Sequence, residues 1–235
     1  IFDSIILAPR NSDFATYKFL DKASQYIPLL PDFSADSFNV QMLNINMTTQ
    51  FMTYISTSFA FGVLCTIPYI LYEVWKFISP ALYENEAKGV KQAFGFGGVM
   101  FIIGCLVGYF IVFPLIFRFL ITFELSESIE NMISLDSYMS NFYTLILIMG
   151  LVFELPLVFW LLSNLGLVYR SFFRKFRRHA VVGSLLAAAL ITPSGDPFSL
   201  FVVTLPIYAL WEISAFVVKK DPPEEEEESL PAVID

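Results

Sequence analysis

Glu154 is a carboxylate set inside an apolar run, between Gly150 and Pro156. A charge in hydrocarbon is expensive, so such a side chain should face a protein cavity or water. Two roles are open to it. It is a functional polar group within a membrane, or a neutral carboxyl that hydrogen-bonds backbone freed by Pro156, which has no N–H to donate. Glu73 and Glu212 sit near the ends of apolar runs, where they can reach water or pair with Lys76 or Lys219. Asp196 precedes Pro197, the pattern of a helix N-cap followed by proline at the first helical position. Glu84 and Glu86 share a short segment with Phe77, Pro80, Leu82 and Tyr83. Carboxylates beside aromatics at a membrane surface could receive a basic ligand, and guanidinium groups suit them through paired hydrogen bonds. A solvated loop is the plainer reading of the same residues.

No catalytic set accompanies these acids. His179 is the one histidine and ends a basic run. Cys65 and Cys105 lie in separate apolar runs and read as small apolar fillers. The glycines at 95, 97 and 98 fall inside an apolar helix, where close helix packing explains them better than phosphate binding. No cofactor, no metal and no enzymatic activity is expected.

The chemistry therefore has to be placed by membrane elements. Of the 235 residues, 56% are hydrophobic, 15% are charged and 26 are Phe. Soluble domains run about 45–50% apolar and about 25% charged. Mean hydropathy is +0.65. These values exclude a disordered chain, a coiled coil and a nucleic-acid binder, and point to a polytopic membrane protein. The net charge of -8 is largely a property of residues 221–235, which hold seven acids and no base.

Charge-free stretches mark the spans. Five transmembrane helices are expected, at about 51–75, 94–117, 138–162, 180–191 and 198–218. The last two are joined by a tight turn from Thr192 to Pro197, and the helix at 180–191 is shorter than the roughly 20 residues a full crossing needs. Pro68, Pro114, Pro156 and Pro206 fall one in each of the other four and favour kinks. Gly183, Ser184 and the alanines at 187–189 should let the short helix pack closely. Residues 1–50 form an external, periplasmic cap, rich in aromatics and prolines. Residues 219–235 form a disordered acidic tail.

The positive-inside rule sets the orientation. Loops on one side carry ten bases, from Lys76, Lys88 and Lys91 through the 170–178 cluster to Lys219 and Lys220. Those on the other carry four, Arg10, Lys18, Lys22 and Arg118. The C-terminus is then cytoplasmic and residues 1–46 external, which calls for a further helix ahead of Ile1.

The segment from Leu71 to Glu86, with its Tyr72-Glu73-Val74-Trp75 and Pro80-Ala81-Leu82-Tyr83 runs, resembles the signature of the TatC family. TatC is the multispanning receptor subunit of the twin-arginine protein translocase. Three further stretches agree in order and spacing: Gly108 to Leu115, Phe153 to Pro156, and Thr192 to Ser199 followed by Leu205-Pro206. Ala8-Pro9 is similar to the start of the family's first external loop.

The resemblance implies an all-α polytopic membrane protein, a cupped bundle with five helices present of an expected six, in the bacterial inner membrane. It implies binding of twin-arginine signal peptides, with Glu86 recognising the arginine pair and Phe77, Pro80, Leu82 and Tyr83 lining the same loop. Glu154 matches the family's intramembrane glutamate, and Asp196 the acid of the last external turn. The implied partners are single-span TatA-type and TatB-type subunits, folded cargo carried by its signal peptide, the lipid bilayer, and further copies of the chain. The resemblance also implies transport driven by the proton motive force. Departures from the family pattern are Leu200, where glutamine is frequent, and Glu84-Asn85 ahead of Glu86. The rival reading of the residues is a proton-coupled small-solute transporter built on Glu154. It predicts inverted-repeat symmetry, and no internal repeat is visible.

Overall fold

The computed structural model describes residues 2–11, 13–18, 42–44, 47–78, 87–123, 132–192 and 194–221. Among the described residues the fold is carried by α1 (Thr49–Ile78), α2 (Ala87–Val107), α3 (Phe113–Thr122), α4 (Leu135–Val152), α5 (Leu155–Asn164), α6 (Arg170–Ile191) and α7 (Pro197–Val217). A π-helical turn, Gly108–Val112, links α2 to α3. A break at Phe153 and Glu154 separates α4 from α5. Each interruption lies just ahead of a proline, Pro114 or Pro156. Proline supplies no N–H and crowds the preceding turn, so the regular ladder gives way there.

Read as continuous segments, four stretches among the described residues are long and apolar enough to cross a membrane: Thr49–Val74, Gly95–Thr122, Leu135–Asn164 and Pro197–Val217. The helix expected at 180–191 starts ten residues earlier, at Arg170. Its first half is the basic run Arg170 to His179, and charge alone does not end a helix. Arg and Lys propagate one readily, with apolar stems that can lie along a neighbouring surface, and Phe172 and Phe173 pack on Trp211. Ser184 and Ala188, one turn apart, are buried, so the small residues of this helix do serve packing, whereas Gly183 faces open space.

The core runs through α3, α4 and α7. Phe113, Phe117, Tyr138 and Phe142 meet edge to face or stacked, with centroids 5.0–6.1 Å apart. A second aromatic group, Phe159, Phe172, Phe173 and Trp211, fixes α6 against α5 and α7. Such pairs contribute about 0.5–1.5 kcal/mol each beyond their buried area.

The first residues dock on one end of this bundle. The hydroxyls of Tyr109 and Tyr138 donate to the carbonyls of Ile5 and Ile6, each at 2.6 Å, and Tyr17 donates to Pro9 O at 2.9 Å. Residues 2–18 are thus an ordered cap on the helices where they are described. At the same end a two-residue parallel bridge pairs Met42 with Ile133 and Leu43 with Ser134.

At the opposite end, residues 219–221 are bonded to the bundle. Lys219 N donates to Ser163 Oγ at 2.9 Å, and Asp221 Oδ1 accepts from Ser171 N at 2.9 Å. Asp221, four residues past the last helix, is held because the first turn of α6 offers unpaired N–H groups. That amide holds the Asp221 carboxyl below the usual aspartate range. Glu212 is paired with neither lysine considered above. It accepts from Arg177 Nε at 2.7 Å and from Tyr208 Oη at 2.6 Å.

Candidate functional site

Glu154 sits at the break between α4 and α5. Its own N–H bonds Leu151 O at 3.1 Å, a tightened three-residue turn, and its carbonyl receives Val158 N at 3.0 Å. The side chain is 6% exposed. Neither carboxyl oxygen has a hydrogen-bond partner among the described residues. The carboxyl makes no hydrogen bond to the backbone around Pro156 among the described residues. Buried polar groups in folded proteins are nearly always bonded, so this one stands out.

Gly97 on α2 makes room for it. A methyl group at position 97 would lie 2.6 Å from Leu157 Cδ2 and 3.1 Å from Glu154 Oε2. Its neighbours Gly95 and Gly98 face open space. Of the three glycines in this run, only Gly97 belongs to the site. Sequence reasoning assigned the run to packing as a whole. The signal that separates them is helical phase: 97, 101, 104 and 108 lie on one face of a 3.6-residue helix.

Asp196 is the N-cap of α7. Its Oδ1 accepts from Ser199 N at 2.7 Å, and its Oδ2 from Ser194 Oγ at 2.6 Å. Partial burial alone would raise its pKa. The bonds from Ser194 and Ser199 outweigh that and hold the carboxyl below the usual aspartate range. A folded pKa below the unfolded one gives stability that is full above the unfolded value, about 3.9, and lost as pH falls through the folded one. Replacing Asp196 with alanine should cost about 1 kcal/mol of stability, and asparagine should keep most of the cap while removing its acid sensitivity. Thermal unfolding of the three proteins at pH 7 and at about pH 2, below the unfolded value, checks this.

Phe77 lies on the last turn of α1 and is 86% exposed. Tyr72, Glu73 and Lys76 of the same helix end are exposed too. Pro80, Leu82, Tyr83 and Glu86 lie outside the described residues. Phe77, Glu154 and Asp196 lie on different elements, and no hydrogen bond joins them among the described residues.

Apolar spans, a buried carboxyl at a broken helix and exposed aromatics at a helix end define a polytopic helical membrane protein. The family described as Sec-independent protein translocase protein (TatC) matches residues 4–206. A relative from Blattabacterium, a Sec-independent protein translocase protein TatC, is 36% identical over 92% of this chain and 82% of its own length. One from Desulforapulum autotrophicum, with the same description, is 37% identical over 79% of this chain and 70% of its own. A crystal structure of the twin-arginine translocase receptor TatC in DDM superposes with a TM-score of 0.69 at 28% identity. It covers 91% of this chain and 94% of the other. The chain belongs to the TatC family. It is a protein translocase component of the membrane and not an enzyme. Membership in a protein-translocating family displaces the small-solute transporter reading.

Proposed function

We propose that this chain is the signal-peptide receptor and core subunit of a twin-arginine translocase, exporting folded proteins under the proton motive force. The observation that carries the proposal is Glu154. A buried carboxyl with two free oxygens is a poor structural element and a good docking group for a polar or basic side chain entering from the bilayer. In this reading the arginine pair of a signal peptide first docks on Glu86, in a segment entered past the exposed Phe77. Pro80, Leu82 and Tyr83 line that contact. The apolar part of the peptide then enters the bundle near Glu154. Asp196 positions the turn that meets single-span TatA-type and TatB-type partners, and several copies assemble in the receptor complex. The ten-base side is cytoplasmic, and the C-terminus lies there, in a bacterial inner membrane.

Binding of a twin-arginine signal peptide to the protein in nanodiscs tests the first step. Lys-Lys substitution in the peptide and Glu86→Gln in the protein should each cost roughly 1.5–3 kcal/mol, about tenfold or more in affinity. Combined, they should cost little more than either alone, because both remove the same contact. Wild-type protein that binds the Lys-Lys peptide equally well would sink the assignment.

A further inference from the structure

A basic cleft lies where the first half of α6 meets the end of α7. It encloses about 310 Å³ between Arg170, Phe173, Arg174 and Arg177 on one wall and Glu212, Ala215 and Phe216 on the other. The three arginines lie four and then three residues apart, on one helix face. Two acids offset them unequally. Glu212 holds Arg177 closely, at 2.7 Å. Asp221 reaches Arg174 only at 3.5 Å, in an exposed pair, and such pairs contribute little. Arg170 has no carboxylate partner among the described residues. Its guanidinium instead lies over the ring of Phe216, at 5.4 Å. The cleft thus keeps one surplus positive charge and one loosely held arginine beside it.

Its level in the membrane decides what fills it. Phe216 is 74% exposed and stands one residue from the end of the apolar span Pro197–Val217. Ile213, one turn back on α7, is exposed as well. A charged cleft therefore opens directly above an apolar strip that continues into the hydrocarbon. A water-soluble anion uses the first feature and wastes the second. A phospholipid uses both.

We propose that this cleft binds the phosphate headgroup of an anionic phospholipid, with Arg170 and Arg174 as its ligands and one acyl chain lying along Phe216 and Ile213. Interfacial arginines between helices suit such headgroups. Lipid binding here is independent of signal-peptide recognition, and its failure leaves that reading untouched.

Native mass spectrometry of the full chain, released from detergent after titration with phosphatidylglycerol or phosphatidylcholine, tests it. Phosphatidylglycerol should bind more tightly. Arg170→Gln with Arg174→Gln should weaken it by about fivefold for each arginine removed. Arg178→Gln, on the same helix but outside the cleft, should leave it unchanged. Arg170→Gln alone breaks no ion pair, so it reports the fivefold loss even where the double variant fails to fold. Equal binding of the two lipids overturns the proposal, as does an equal loss in Arg178→Gln. So does displacement of the lipid by glycerol phosphate or a pentaglutamate peptide at matching concentration, which would make the cleft a site for soluble anions or acidic segments.

Discussion

Glu154→Leu is expected to abolish export of a twin-arginine cargo while leaving the protein at least as stable as wild type. The two halves of this outcome come from one observation. Glu154 is buried, and among the described residues neither of its oxygens is bonded. An unsatisfied buried polar group costs about 1–3 kcal/mol, and a leucine of similar volume recovers that cost. A residue kept for the fold would give the opposite result, because its removal would lower stability. Glu154→Gln separates polarity from charge. It keeps the amide's hydrogen-bonding capacity at the α4–α5 break but cannot carry a proton equilibrium. If glutamine supports export, Glu154 acts as a polar docking group. If glutamine fails as leucine does, the acid itself is needed. Thermal unfolding in detergent and cargo export in cells measure both halves. Export that survives Glu154→Leu would remove Glu154 from the mechanism.

How much of this was legible beforehand follows from the range of the interactions. The spans were readable because a run of uncharged residues is a local property. The break at Glu154 was readable because Pro156 acts on the turn immediately before it. The Asp196 cap was likewise a matter of adjacent residues. The basic first half of α6 was missed, since a run of arginines reads as a loop when hydropathy is the guide. Its helical state depends on Phe172 and Phe173 packing against Trp211. The Arg177–Glu212 pair spans 35 positions and the Ser171–Asp221 bond spans 50. Neither leaves a mark at either sequence position. The fate of Glu154 belongs to the same class, because its exclusion from solvent is completed by Gly97 on another helix.

Gly104→Val is expected to produce the largest loss of stability among single substitutions in the spans, and the reason lies in what faces that glycine. A methyl group at position 104 would meet Met149 O at 2.6 Å, Phe153 Cβ at 2.7 Å and Gly150 Cα at 2.9 Å. Two of these three atoms are backbone and cannot rotate aside, so α2 and α4 must separate. Gly108 repeats the approach one turn on, with Ile146 Cα at 3.1 Å. Gly150 answers from the other side, since a methyl there would meet Phe101 Cε2 and Cys105 Sγ, each at 2.7 Å. The Phe101 ring thus fills the space that Gly150 leaves. Without a hydrophobic force between helices in lipid, such close packing is what holds the two together. Overpacking a fitted interface costs about 1–3 kcal/mol and more where backbone must move, so a branched residue at 104 should reach or exceed the top of that range. The internal control is six residues away. Gly98 on the same helix faces open space, and Gly98→Ala should be neutral or slightly stabilising. Unfolding of the two variants by temperature or denaturing detergent makes the comparison. Equal losses would mean that the close approach of α2 to α4 at Gly104 is not what the substitution disturbs. A loss confined to Gly104 would show that the α2–α4 contact holds the scaffold against which Glu154 is kept buried and unpaired.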